Sequence, residues 1–130
     1  MNIFQLKQRL KHYFKKKDEY SIHSPFMFDL YNKTIKKYRN KPTKLILKLK
    51  EEYGIENILQ ITCEYNTYQE IQNQTTEDTI IIVKKPYKNK ATCQEFQKII
   101  TDPRAIVSID FFKIAIILQN HKLSPQYYCL

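Results

Sequence analysis

The chain has 130 residues, 42% of them hydrophobic and 27% charged, which is enough for one globular domain with a real core. It has no run of about 18 apolar residues, so it predicts no transmembrane helix. Its lysine-rich start lacks the apolar segment of a signal peptide, and we expect a cytoplasmic protein. Cys63, Cys93 and Cys129 are widely spaced, a pattern typical of reduced core thiols and not of a disulfide framework or a zinc site.

The net charge of +9 is distributed unevenly. Residues 1–50 carry 14 Lys and Arg against three acids, whereas residues 51–130 carry eight against ten. A basic half can attract nucleic acid or an anionic membrane. However, 19 of the 22 basic residues are Lys, and Arg is the residue expected where phosphate or guanine is gripped by two hydrogen bonds. The composition therefore favours a solvated basic surface, and we expect any nucleic-acid binding, through residues 7–17 and 33–50, to be weak and unspecific.

Two helices are predicted near the N-terminus. The first covers 3–17, where apolar side chains recur at helical spacing. The second covers 25–38, with Ser24 as its N-cap and Pro25 at its first helical position. His23 precedes this cap, and adjacent His and Ser residues make a poor nucleophile–base pair because a triad needs a base held beside the hydroxyl in space. We interpret the stretch as structural.

A third helix is predicted at about 43–53, and it ends before Gly54, the only glycine in the chain. Glycine at that place is typical of a left-handed C-cap. A single glycine also excludes the usual Rossmann fingerprint and the Walker phosphate loop, which need three and two glycines respectively. Residues 1–54 are thus predicted to form a basic helical part.

Residues 55–130 are predicted to form an α/β part, in one domain covering 1–130. The run TIIIVKK is continuously apolar and β-branched up to its lysines, as in a strand that is covered on both faces of a parallel sheet. Because strands and helices alternate, the fold class is α/β with a mixed sheet, and the last three strands are expected to be antiparallel. The predicted strands are 56–63, 79–85, 105–110, 113–119 and 126–130, and the predicted helices are 67–74 and 90–101.

Three stretches carry a family resemblance. IHSPFMFDLYNKTI resembles the N-terminal segment of a bacterial group of class I S-adenosylmethionine-dependent methyltransferases, in which an H-S-P-F-x-[FY]-D-L run precedes a Rossmann-like domain. ENILQITCEYN is similar to the first strand and cofactor loop of that family, and the chain from DTIIIV to KIAIIL resembles its last third. The family-motif residues are then His23, Ser24, Pro25 and Asp110, and the resemblance implies a reduced Rossmann-like methyltransferase fold.

The chain departs from that family at the cofactor site. The resemblance implies that Gln60 replaces an acid and that Thr62 and Asn66 replace two loop glycines, where a side chain blocks close approach of the cofactor. It also implies that Lys84 and Lys85 replace an aspartate pair that could bind a metal or position a substrate. About a dozen residues separate the loop from the next strand, whereas each strand and its crossover need roughly 30. The segments that hold the ribose and adenine are therefore missing.

These departures favour a truncated, degenerate and non-catalytic methyltransferase-derived protein, which is a remnant or binds a partner such as a full-length methyltransferase relative. We expect no catalytic residue, no metal and no cofactor. Two alternatives stay open: a methyltransferase with an atypical S-adenosylmethionine site, and a basic module that binds nucleic acid or an anionic surface. We also expect the strand ILQITC to pair with TIIIVK, which closes the sheet within a monomer.

Overall fold

The computed structural model describes residues 34, 36–38, 40–123 and 125–129. The predicted helix at 3–17 and the start of the second helix, with His23, Ser24 and Pro25, lie outside the described residues. Lys36–Tyr38, at the end of that second helix, is helical.

The described part of the chain contains three helices of more than one turn and a five-stranded mixed sheet, which confirms the α/β class. The helices are α1 (Pro42–Tyr53), α2 (Tyr65–Glu70) and α3 (Lys90–Ile100), and short 3₁₀ turns follow α1 and α2 at Ile55–Asn57 and Ile71–Gln74. The strands are β1 (Ile58–Thr62), β2 (Ile80–Lys84), β3 (Val107–Asp110), β4 (Ile114–Leu118) and β5 (Gln126–Cys129).

The strands lie in the order β1-β2-β4-β3-β5. β1 and β2 are parallel, with Ile58 opposite Ile80 and Thr62 opposite Lys84, which confirms the predicted pairing of ILQITC with TIIIVK. β4 is antiparallel to β2 on one side and to β3 on the other. The carboxyl ends of β1 and β2 and the beginning of β4 therefore lie side by side at the same end of the strands.

The prediction that the last three strands form an antiparallel group is wrong for β5. β3 and β4 are antiparallel, but β5 pairs parallel with β3, with Val107 opposite Gln126. Both edges of β4 are already occupied by β2 and β3, so β5 cannot form a hairpin with β4. The chain reverses direction after β4 and reaches the remaining edge of β3, where the reversed direction makes the pairing parallel.

Helices cover both faces of the sheet, which explains the continuous apolar run of β2. Ile80 and Ile82 pack in the cluster that contains the buried face of α1, whereas Ile81 and Val83 pack on the side of α2 and α3. All four of these side chains are buried. The sheet is thus the middle layer of three, as expected for a strand without polar alternation. Within the described residues, every helix is too short or too polar to cross a bilayer.

Local sequence determines where the helices begin and end. α1 begins with Pro42 at its first position, one residue before the predicted start, and Gly54 after it has φ 91° and donates its backbone N–H to the Lys50 carbonyl at 3.0 Å. The positive φ is the reason for glycine there, although ψ 139° lies outside the left-handed helical region that the C-cap prediction assumed. α3 begins with a capping box, in which Asn89 and Thr92 each accept the backbone N–H of the other.

Candidate functional site

A cleft of about 810 Å³ lies between α1 and the carboxyl ends of β1 and β2. The first half of α1 forms one wall through Pro42, Ile46 and Leu47, and β1 contributes Gln60. In open α/β sheets, ligands bind in the crevice outside the carboxyl ends of the strands. The volume is also within the range of small-molecule sites, roughly 300–1,000 Å³. We therefore treat this cleft as the candidate functional site.

The cleft is strongly basic. Five of the thirteen residues that line it are lysines, and none of the thirteen, all of them within the described part of the chain, is Asp, Glu, His or Cys. Aromatic and aliphatic side chains form most of the remaining lining. The five lysines are Lys50, Lys84, Lys85, Lys88 and Lys113.

Strand pairing brings three of these lysines together. Lys84 is the last residue of β2 and lies opposite Ile114, the first residue of β4. The next residue, Lys85, has φ 50°, and its backbone N–H donates to the carbonyl of Lys113 at 3.1 Å. Lys113 is therefore held beside Lys84 and Lys85, which lie 29 and 28 residues earlier in the sequence, by strand pairing and this backbone hydrogen bond.

Two stacked aromatic rings line the cleft beside these lysines. The rings of Tyr87 and Phe112 are nearly parallel, at 8°, with their centroids 4.9 Å apart. Tyr87 also packs edge-on against the buried ring of Phe96. Phe112 has φ 72°, an uncommon conformation for a residue with a side chain, and such residues concentrate at functional sites.

Asp110 holds the aromatic pair in place. It is fully buried at the end of β3 and accepts hydrogen bonds from the hydroxyls of Tyr87 and Tyr127 and, at 2.8 Å, from the backbone N–H of Phe112. Burial, and then the negative charge of Asp110, raises the pKa of both tyrosines above the usual value. Both hydroxyls therefore remain protonated donors at neutral pH, and Asp110 acts as a positioning residue for the cleft.

The residues predicted from the family resemblance are only partly brought together. Gln60, in the middle of β1, lines the cleft together with Lys84 at the end of β2 and Lys85 directly after it. Thr62 and Asn66 are exposed and do not belong to the lining. The resemblance implied that Gln60, Thr62 and Asn66 surround a cofactor, whereas here Gln60 lines the cleft without the two loop positions.

Sequence reasoning missed the other charged and aromatic residues of the cleft. The local run KKPYKNK, residues 84–90, contained a signal for Lys88 and Tyr87 because it concentrates four lysines around one aromatic residue. Lys50 and Lys113 had no such signal, since their position depends on the packing of α1 and on the register of β4. Among the described lysines of the predicted basic surface at 33–50, only Lys50 lines the cleft.

A second polar cluster is structural. Asp102 is buried and receives two hydrogen bonds from the Arg104 guanidinium, at 2.9 and 2.7 Å, and one from the Tyr65 hydroxyl at 2.6 Å. The Arg104 guanidinium holds the pKa of the Asp102 carboxyl well below its usual range. Cys63 is also structural, since its buried thiol donates to the Thr92 carbonyl at 3.2 Å and burial raises its pKa to about 12. No group of three or more potential metal ligands occurs among the described residues.

Comparison with known proteins identified no relative. No protein-family model matches the chain, and no curated protein and no solved structure matches it.

Proposed function

We propose that this chain is a non-catalytic, methyltransferase-derived α/β protein that either binds a partner or is a remnant of a larger enzyme. The observation that supports this proposal most directly is the basic lining of the cleft. Five lysines line it, and no carboxylate, imidazole or thiol does so within the described residues. Groups of those three kinds are the usual general bases and nucleophiles at neutral pH.

The charge of the cleft opposes S-adenosylmethionine. At neutral pH this cofactor carries a sulfonium and an ammonium group against one carboxylate, so its net charge is positive. Lys84 and Lys85, at the positions where the resemblance implies two acids, place positive charge at the ends of the strands instead. Like charges within a few ångströms repel, and the repulsion is stronger in a partly enclosed cleft than in bulk water.

The loop after β1, which lies outside the lining of the cleft, also differs from the cofactor loop that the resemblance implies. Thr62 and Asn66 carry side chains where the resemblance implies glycines, and both side chains are exposed rather than folded away. The carbonyl of Thr62 accepts the backbone N–H of Glu64 at 2.8 Å, and α2 begins one residue later. The chain thus turns directly into a helix, without a glycine-rich loop that could close around a ligand.

Calorimetric titration tests this proposal. We expect S-adenosylmethionine to bind no more tightly than about 0.1 mM, roughly −5.5 kcal/mol. S-adenosylhomocysteine is the matched control because it lacks only the methyl group and the positive charge of the sulfonium, and we expect it to bind no more tightly, since the loop positions lack glycine. Binding of S-adenosylmethionine clearly tighter than that limit would overturn the proposal and favour a methyltransferase with an atypical site.

A further inference from the structure

Resting on this proposed binding function, we infer that the cleft takes a nucleoside di- or triphosphate, with the phosphates on the lysines and the base against the aromatic pair. The inference follows from two properties of the lining that occur side by side. One is a concentration of positive charge, and the other is an apolar and aromatic surface.

The lysines provide the phosphate site. Lys84, Lys85 and Lys113 converge where β2 ends and β4 begins, and Lys50 and Lys88 line the same cleft. Lysine binds phosphate as a compact point charge and does not need the planar geometry of arginine. The described lining contains no Asp or Glu. The positive charges of Lys84, Lys85 and Lys113 therefore suit a ligand with several negative charges, and they take the place of the glycine-rich loop that the chain lacks.

The aromatic pair provides a surface for a flat ring. Phe112 lies next to Lys113 in sequence and lines the cleft together with Tyr87. Asp110 fixes both residues through the Tyr87 hydroxyl and the Phe112 backbone, so the pair is preorganised. Leu47 lines the cleft from α1 with 56% of its side chain exposed. Any nucleobase can stack on an aromatic surface of this kind, because every base has a flat π face.

The size of the cleft favours a small molecule over a nucleic-acid strand. About 810 Å³ can hold one nucleotide, whereas a single strand needs a groove that follows several phosphates along the surface. The converging lysines occupy the ends of two adjacent strands and not a line across the molecule. We therefore commit to a free nucleotide.

The experiment is calorimetric titration of the full chain at low and physiological salt with four probes: ATP without magnesium, inorganic tripolyphosphate, adenosine and a 15-nucleotide oligothymidylate. We expect ATP to bind more tightly than about 0.1 mM and to weaken as salt rises, because the contacts are exposed ion pairs. Tripolyphosphate should bind about tenfold more weakly, since it has the charge without the ring. Adenosine and the oligonucleotide should bind more weakly than either.

Matched variants assign the binding to the cleft. Lys84→Gln and Lys113→Gln should each lower the affinity for ATP about fivefold, since each removes one phosphate-binding charge. Lys122→Gln is the control because Lys122 is exposed in the turn after β4, at the opposite end of that strand from the cleft, and it should leave ATP binding unchanged. Phe112→Leu should lower the affinity for ATP and leave the affinity for tripolyphosphate unchanged. Circular dichroism verifies that this variant is folded.

Four results would overturn the inference. They are absence of ATP binding at millimolar concentration, an equal loss of affinity in Lys122→Gln, oligonucleotide binding tighter than ATP binding, or equal affinities for ATP and tripolyphosphate that Phe112→Leu does not change. A parallel titration with S-adenosylmethionine separates the two proposals. If neither ATP nor S-adenosylmethionine binds, only this inference fails, whereas tight binding of S-adenosylmethionine contradicts the proposed function itself.

Discussion

Asp110 and Asp102 are two buried carboxylates that the fold uses in different ways. Asp110 takes its donors from Tyr87, Phe112 and Tyr127, and it thereby positions the aromatic part of the cleft. Asp102 forms an ion pair with Arg104, two residues later in the chain. Buried carboxylates persist when hydrogen bonds or an opposite charge replace the lost water: Asp110 has three hydrogen-bond donors, and Asp102 has both hydrogen bonds and the Arg104 charge.

We expect Asp102→Asn to lower the free energy of unfolding by about 2 kcal/mol at pH 7, because it removes a charge-assisted pair whose arginine is partly exposed to solvent. The folded pKa of Asp102 lies below the unfolded value of about 3.9. Its stabilising effect is therefore complete above the unfolded pKa and is lost as the pH falls through the folded pKa. The difference between wild type and variant should shrink in acid.

Urea unfolding at pH 7 and at about pH 3 measures this difference. Asp78→Asn is the control, since Asp78 is exposed in a turn and should change the stability little at either pH. A stability difference for Asp102→Asn that stays constant between the two pH values would contradict the charge-pair explanation.

At the scale of elements, residues at the ends of α1 and α3 determine where these helices begin and end. α3 has a reciprocal capping box at its start, and α1 has a proline at its start and a glycine after its end. By contrast, α2 has Glu64 at its N-cap position without a side-chain capping bond, and it lasts only six residues before it tightens into a 3₁₀ turn. The cap is thus one reason that α3 is the more regular cover of its face of the sheet.

Asn89→Ala should cost about 1 kcal/mol of stability because it removes the acceptor for the Thr92 backbone N–H, which is 2.9 Å away. Asn66→Ala is the matched control, since Asn66 is exposed within α2 and caps no helix. It should change the stability by less than about 0.5 kcal/mol. Thermal unfolding of both variants provides the comparison, and equal losses in the two would argue against a special role for the cap.

At the scale of the whole molecule, the arrangement of strands determines which edges remain. β1 and β5 are the outer strands of the described sheet, and the apolar strand β2 is enclosed between β1 and β4. Ile61 on β1 is only 5% exposed and packs toward α2 and α3. The apolar, β-branched run TIIIVK, a composition that favours aggregation when a strand edge is exposed, is therefore covered by its neighbours on both sides.

We expect the chain to be a monomer at micromolar concentration, because its two most apolar strands, β2 and β4, already have both partners within one chain. Light scattering after gel filtration measures the mass. A stable dimer would contradict this expectation, and if Thr62→Lys split that dimer into folded monomers, pairing through the edge of β1 would be the cause. Thr62 suits this test because it is exposed, whereas a lysine at Ile61 would disrupt the core.

Local pattern by itself determined most of the elements of this protein. The β-branched run of β2, the apolar spacing of α1 and α3 and the turn at Gly54 each reflect interactions within a few residues, so they could be predicted from the sequence. The pairing of β1 with β2 was also predictable, because β2 is the next strand after β1 in the chain. The lysines at 84 and 85 were singled out through a family resemblance that named their positions, although the lysine-rich run at 84–90 is also visible in the sequence.

Only the tertiary structure decided the direction of β5 and the composition of the cleft. β5 is parallel to β3 because β4 had no unoccupied edge, a fact that depends on every other strand pair. Lys50, Lys85 and Lys113 meet because α1 packs beside strands whose register places Lys85 against Lys113. Residues far apart in sequence meet through packing and strand register, and neither leaves a periodic signal in the chain.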